Sequence, residues 1–389
     1  MSSRKRMPKE FQFLEGVPLG ISRISCAILT RGLPLAWPCQ IAALATDKHE
    51  RALLPNVVGP ADIGVSYAQI GGLEAVKETL RQCVTYPLKY PHLYREGIAG
   101  EAVKGLLLFG PPGTGKTMLA KAVATEGGAT FLSVDASSIE NKWLGESEKN
   151  ARAMFTLARR LAPCVIFIDE IDSLLSSREG GDESSHGTLT SVKTTIMQEW
   201  DGLRTNADCR VVVIGSTNRP FDLDEAVLRR MPRRILVDLP DLATREAILN
   251  VSLRRNRLAP DVNLTAVALQ LEGYTGSDIK EVCREAVVRI CHQAAAQLDH
   301  ATQTAAAGSG AGASCGDGAG FEEDAPEEDA RAEQMVLRPV AKKDLESALG
   351  KLSASVNERG REIQRVAAWN EQYGEIKKKK KRQAMSMYL

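Results

Sequence analysis

The sequence lacks any surplus of one charge: 50 Lys and Arg face 49 Asp and Glu across 389 residues, a formal balance of +1. A chain held globally on nucleic acid or an anionic membrane by electrostatics would carry a marked cationic excess, and this balance argues against both. Aromatic residues are scarce, at 5%, which suits a core built from Ala, Leu and Val in an α/β protein. The eight cysteines (Cys26, Cys39, Cys83, Cys164, Cys209, Cys283, Cys291, Cys315) stand far apart with no C-x-x-C pair. That spacing argues against a disulfide framework or zinc site and favours a reducing, intracellular compartment. H-E-x-x-H is also missing, which removes the commonest zinc-protease pattern.

No run of 18 apolar residues occurs, so no transmembrane anchor is expected. Gly32–Thr46 is uncharged but only 15 residues long and broken by Pro34 and Pro38. Before it come Arg4, Lys5, Arg6, Lys9, Arg23 and Arg31, interrupted by Glu10 and Glu15. Such a segment reads either as a targeting peptide or as a poorly ordered terminus, and residues 1–60 are set apart on that ground.

What is present, from about Val65, is a regular α/β alternation. Short apolar runs at Gly105–Phe109, Thr130–Val134, Cys164–Ile168, Arg210–Gly215 and Arg234–Leu239 read as buried strands. Met118–Glu126 closes with Gly127-Gly128, a helix stop. Ser147–Leu161 places Ala151, Met154, Phe155, Ala158 and Leu161 on one helical stripe ahead of Pro163. The expectation is a doubly wound parallel sheet of five strands over residues 61–240. Helices follow at Leu242–Leu253, Leu264–Leu271 and Ser277–Leu298, giving a small all-helical domain over 241–300. Residues 301–336, Ala/Gly/Ser-rich and then acidic (Glu322, Glu323, Asp324, Glu327, Glu328, Asp329), read as a disordered insert. Helix resumes over 337–376, and residues 377–389 begin with six cations, Lys377–Arg382.

The chemistry concentrates in a few segments. Gly110-Pro111-Pro112-Gly113-Thr114-Gly115-Lys116-Thr117 fits G-x-x-x-x-G-K-[ST] between a strand and a helix. Its glycines let backbone N–H groups approach phosphate oxygens, Lys116 supplies charge to the β- and γ-phosphates, and the Thr117 hydroxyl suits Mg²⁺. The strand after the next helix ends in Asp169-Glu170, 53 residues beyond Lys116. Acidic residues there face the ligand edge of an open α/β sheet. Asp169 would hold the magnesium and Glu170 would polarise the attacking water. The next strand runs into Ser216-Thr217-Asn218, with Asn218 placed to bond that water or the γ-phosphate. Arg229-Arg230-Met231-Pro232-Arg233-Arg234 is either a solvated basic loop or the source of an arginine finger. Lys142-Trp143-Leu144 sets an apolar ring in a polar loop, suited either to capping the surface or to gripping extended chains of any sequence.

Taken together and in this order, these residues resemble the AAA+ ATPases, and within them the single-ring branch of katanin, spastin, fidgetin and Thorase-type membrane-protein extractors. The Trp143 loop and the ending Trp369…Tyr373-Gly374 carry the narrower likeness. The resemblance implies a homo-hexamer binding ATP and Mg²⁺ between subunits, with a P-loop NTPase fold and a helical lid. It implies catalytic roles for Lys116, Asp169, Glu170 and Asn218, with Arg230 and Arg233 at the finger positions. Nucleotide would also contact Ile70 and Gly71 beneath the base, Pro112 through Met118 in the loop, and Gly276-Ser277 beside the adenine. Lys142, Trp143 and Leu144 would form the first pore loop and Gly181–Thr188 the second. The implied activity is ATP-driven unfolding, extraction or disassembly of a membrane-anchored, cytoskeletal or unfolded protein, in the cytosol or on the cytosolic face of a mitochondrion or peroxisome, with chloroplast and nucleus as the alternatives. Two other classes compete: a nucleotide-gated assembly protein with incidental hydrolysis, and an ATPase stimulated by nucleic acid through Lys377–Arg382. The full set Glu170, Asn218 and arginines argues against the first, and the balanced charge gives the second no stable nucleic-acid partner.

Overall fold

The computed structural model describes residues 41–42, 44–94, 97, 103–135, 139, 146–176, 183–204, 209–308, 337–356 and 360–375. Lys142, Trp143, Leu144, most of the acidic insert and the basic tail lie outside them.

Six strands form one sheet in the order β1-β3-β4-β5-β2-β6. They are β1 (Val57–Val58), β2 (Gly105–Phe109), β3 (Thr130–Val134), β4 (Cys164–Ile168), β5 (Val211–Thr217) and β6 (Arg233–Leu236). β2 to β6 are parallel, and β1 pairs antiparallel with the edge of β3, Val57 opposite Leu132. The five parallel strands expected are thus all present, and β1 adds a sixth, antiparallel strand at the edge. A two-residue edge strand is too short to show any periodicity. β5 also runs on through Ser216 and Thr217, both buried, because β2 pairs with them through Leu108 and Phe109.

The helices are α1 (Lys48–Leu53), α2 (Glu74–Leu80), α3 (Tyr86–Lys89), α4 (Lys116–Gly127), α5 (Glu146–Arg160), α6 (Ile171–Leu174), α7 (Glu183–Arg204) and α8 (Glu225–Arg230). After β6 come α9 (Leu242–Leu253), α10 (Leu264–Gln270), α11 (Gly276–Gly308), α12 (Lys342–Lys351) and α13 (Arg361–Tyr373). Successive strand residues point to opposite faces, so each strand feeds two cores. Leu107, Phe109, Ile166 and Ile168 pack under α5 and α7, while Leu106, Leu108, Val165 and Phe167 pack under α4. This double burial is why the strands read as unbroken apolar runs. A third core, including Leu249, Ile279, Val282 and Leu345, closes the helical domain. Helix α11 continues to Gly308, eight residues past the expected boundary at 300, because Ala-rich sequence prolongs it at little conformational cost.

The expected boundary at residue 60 also moves. Ile41, Ala45 and Leu53 are buried in the same core as α5, so the α/β unit begins before that point. The reason is a polar clasp that no hydrophobic pattern announces. Glu50 is nearly inaccessible (2% exposed) yet accepts hydrogen bonds from Thr46 N (2.8 Å), Asp47 N (3.3 Å), Thr156 Oγ1 (2.8 Å) and Arg160 Nη1 (2.6 Å). Beside it His49 Nδ1 lies 2.8 Å from Asn150 Oδ1, and Lys48 pairs with Glu146 at 3.1 Å. α1 is thus bolted onto α5. At the other end of the chain, α13 lays Trp369 edge-on against Phe109, with ring centroids 4.7 Å apart. Among the described residues no helix is long and apolar enough to cross a membrane.

Burial alone would push the Glu50 carboxyl up, but bonds from Thr156, Thr46, Asp47 and Arg160 outweigh it and hold it below the usual carboxylate range. A carboxyl held down in the folded state stabilises it at neutral pH, and that contribution disappears as the group is protonated. Glu50→Gln should cost about 2 kcal/mol at pH 7, read as a lower urea midpoint. The difference from the parent should close as pH falls below about 4, near the unfolded carboxyl's range. A difference independent of pH would contradict this role.

Candidate functional site

The sheet order explains the site. β4, β5 and β2 are neighbours, so the loops leaving their C-terminal ends emerge side by side, at the edge where open α/β sheets bind ligands. β2 leads into Gly110–Thr117, β4 into Asp169-Glu170, and β5 into Asn218. Sequence-distant residues therefore meet. Lys116 Nζ donates to Asn218 Oδ1 at 2.8 Å, to Pro111 O at 2.7 Å and to Gly110 O at 3.0 Å. Thr117 Oγ1 donates to Asp169 Oδ2 at 3.2 Å.

Lys116 is 7% exposed, and burial pushes its ammonium down to about 8, against an upward pull from Asp169. The cation is thus confined at the first turn of α4, where helix N–H groups and the helix dipole also favour an anion. Gly113 adopts φ +73°, and a Cβ there would stand 2.7 Å from Thr275 Oγ1; only glycine suits both the backbone and the space. This cradle fits a polyphosphate. Thr117 and Asp169 supply two oxygens for a hard cation, and Mg²⁺ commonly takes one or two protein oxygens plus phosphate and water. Among the described residues no cluster of three His, Cys, Asp or Glu could hold a metal by itself.

Glu170 is exposed and adopts φ +47°, ψ +47°, in the left-handed region. A non-glycine residue there costs about 1–3 kcal/mol and persists only where its surroundings enforce it. The enforcement is visible: Ser173 N and Oγ both bond Glu170 O, at 2.8 and 2.7 Å, and Glu170 N bonds Asp169 Oδ1 at 3.1 Å. The bend turns the chain sharply into α6 immediately after Asp169. Asp172, which sequence reading passed over, fixes the far side by accepting from Thr217 Oγ1 at 2.6 Å. Its signal was the third-residue spacing from Asp169, which returns Asp172 toward the same strand ends.

The helical domain closes the other wall. Gly71 lies against α9, where a Cβ would meet Ile248 N at 2.5 Å, and Ile70 is buried with its carbonyl held by Lys77 Nζ at 2.7 Å. Ser277 N donates to Gly113 O at 3.0 Å, so α11 starts on the phosphate loop itself. Asp278 fastens that turn. Burial pushes its carboxyl up, but bonds from Thr275 and Ser355 outweigh this and hold it low. Pro112 and Met118 remain exposed at the rim, and Thr114 is buried, bonding Pro111 O at 3.0 Å.

The arginines separate clearly. Arg230 is bidentate to Asp201 and bonds Ala226 O at 3.0 Å. Arg233, on β6, pairs with Glu375, and Arg234 bonds Met231 O and Leu228 O. Arg229 at the end of α8 is 79% exposed, with only a 3.4 Å contact to Glu225 one turn back. Of the second loop expected at Gly181–Thr188, residues from Glu183 onward belong to α7.

Residues 106–239 match the model of the ATPase family associated with various cellular activities (AAA), and residues 261–302 match the AAA+ lid domain. The outer mitochondrial transmembrane helix translocase of Homo sapiens is 43% identical over 242 residues, 62% of this chain and 66% of that protein. The chain thus spans slightly under two thirds of the length of that curated relative. A crystal structure of the FIGL-1 AAA domain in complex with ADP superposes with a TM-score of 0.63 at 30% identity, covering 88% of this chain and all of that one. A structure describing katanin self-assembly gives 0.61 at 29% identity, covering 84% and 97%.

With Lys116 held near 8, phosphate binding that restores its full charge must take up a proton at alkaline pH. Calorimetry in buffers of different ionisation enthalpy should show almost no linked proton at pH 7 and close to one per site at about pH 9. Proton uptake independent of pH would show that Lys116 does not face the ligand.

Proposed function

Because the chain belongs to the AAA family of ATPases, we propose that it hydrolyses Mg²⁺·ATP at sites shared between identical subunits and uses the energy to remodel proteins. The observation that carries this reading is the junction of three strand ends, with Lys116 on Asn218 and Thr117 on Asp169. Lys116 and the N–H groups of the loop bind the phosphates. Thr117 and Asp169 would hold Mg²⁺, which would supply positive charge to offset the negative charge of the bound phosphates. Asn218 orients the γ-phosphate and the water aimed at it, and Glu170, presented by its constrained bend, accepts that water's proton. Ile70, Gly71, Gly276 and Ser277 line the base-side seam between the two domains.

The guanidinium reaching a neighbouring subunit's γ-phosphate is Arg229. Arg229, Arg230 and Arg233 all pair with carboxylates of their own chain, but Arg229 is 79% exposed and 3.4 Å from Glu225, against 19% for Arg230 and 43% for Arg233, which gives it the greater reach across an interface. Such a residue typically contributes a factor of about 10³ or more. A likeness to the katanin self-assembly structure supports oligomerisation, and we assign the hexamer as the working ring. Trp143, flanked by Lys142 and Leu144, would grip an extended polypeptide in the central pore. The kinship with a transmembrane helix translocase of the outer mitochondrial membrane favours a membrane-anchored protein substrate met from the cytosolic side.

Glu170→Gln should retain ATP affinity while steady-state phosphate release falls by about 10²-fold or more; unchanged release would remove Glu170 from the reaction. Arg229→Ala should lower turnover by about 10³-fold with ATP binding intact. Mixing Arg229→Ala with Lys116→Ala subunits should recover activity, because some interfaces then pair an intact cradle with an intact arginine. Failure of the mixture to recover any turnover would place the arginine's action within its own subunit.

A further inference from the structure

The helical domain carries a second cleft, remote in sequence from the phosphate loop. It encloses about 340 Å³ between Arg255 and Arg257 after α9, Val287 and Ile290 on α11, and Leu337 and Arg338 on the returning chain. Its apolar floor is flanked by guanidinium groups. Arg338 is answered by the buried Asp344, at 2.6 and 2.8 Å, and by Gln293 Oε1 at 2.7 Å. Arg255 and Arg257 are exposed, and among the described residues neither has a carboxylate partner. With Arg254 beside them, they give a concave surface with uncompensated positive charge on a chain whose net charge is only +1.

We propose that this cleft is a binding site for acidic peptide, and that its resident occupant is the chain's own segment Glu322–Asp329. The ends of the intervening chain support this. Helix α11 carries the backbone to Gly308, fifteen residues beyond Gln293, or about 22 Å along its axis. The chain returns at Leu337 and Arg338, pinned to Gln293 and running beside Arg257, where Val340 N bonds Arg257 O at 2.8 Å. The chain thus re-enters at the rim of the cleft, with residues 309–336 between its two described ends. Eight carboxylates lie between Gly308 and Leu337, six of them clustered as Glu322, Glu323, Asp324, Glu327, Glu328 and Asp329. Asp329 is nine residues from Arg338, within about 30 Å when extended. Single exposed ion pairs are weak, so it is the combination of several pairs and a tether that holds such a segment. Short tethers give effective concentrations in the millimolar range. The site is independent of the ATPase reading, and an external acidic peptide would have to displace the tethered one.

The test uses a fluorescent peptide of residues 321–330 and the full chain. In a variant with the six carboxylates changed to Gln or Asn, anisotropy should show binding about tenfold tighter than to the parent, whose own segment competes. Arg255→Glu with Arg257→Glu should abolish binding to that variant, and a peptide with its acids replaced by Lys should bind the charge-reversed protein. Nucleotide hydrolysis should be unchanged in all of them, which also reports correct folding. Equal peptide affinity in parent and neutralised chains would overturn the proposal. So would competition that persists in the arginine variants and vanishes only when Lys377–Arg382 is neutralised, since the segment would then pair with the tail. An RNA oligonucleotide of equal charge binding the neutralised chain more tightly than the peptide would also overturn it.

Discussion

One hydrogen bond concentrates the logic of the molecule: Lys116 Nζ to Asn218 Oδ1 at 2.8 Å, joining residues 102 positions apart. It exists because β5 lies between β4 and β2, so the polar ends of three consecutive sheet neighbours must share one small volume. A buried ammonium demands acceptors, and here it has Gly110 O, Pro111 O and Asn218. The same groups draw the phosphate loop, the acidic turn and the asparagine into register. The stability of the sheet and the geometry of the site are therefore one problem, solved by strand order.

The second constraint is the contact between the two domains. Gly71 against the backbone of Ile248, and Gly113 against Thr275, allow approaches that a side chain would forbid. Ser277 N on Gly113 O makes the phosphate loop itself a docking surface for α11. A change in the shape of that loop would therefore be felt at the start of α11, through the Ser277 bonds to Gly113 O and the Thr275 side chain against Gly113.

Much of this was legible in the residues. β2, β3 and β4 coincide with the apolar runs, and the stripe Ala151, Met154, Phe155, Ala158 and Leu161 is buried as its spacing demands, because burial on both faces leaves a continuous apolar signature. Gly110–Thr117, Asp169-Glu170 and Asn218 were visible because each is a glycine-rich or polar break directly after a buried apolar strand. What was not legible rests on polar or long-range contacts. β1 is too short to have a period. α1 is held by Glu50, whose acidity reads as surface until Arg160, 110 residues away, is found beside it. The resemblance singled out Arg230 and Arg233 among the arginines of 229–234, and what sequence could not give is that these two pair with Asp201 and Glu375 while Arg229 stands 79% exposed.

The final helix, α13, has a mechanical meaning. Trp369 rests on Phe109, the last residue before the phosphate loop, while Arg234 stacks 5.7 Å from the Tyr373 ring and Glu375 holds Arg233. One short segment thus braces both the strand that feeds the cradle and the strand that follows the arginine cluster. Lifting it would leave an unfilled hollow against Phe109, Arg233 without its carboxylate and Arg234 without its aromatic neighbour, so this helix serves as a keystone set into the sheet's flank.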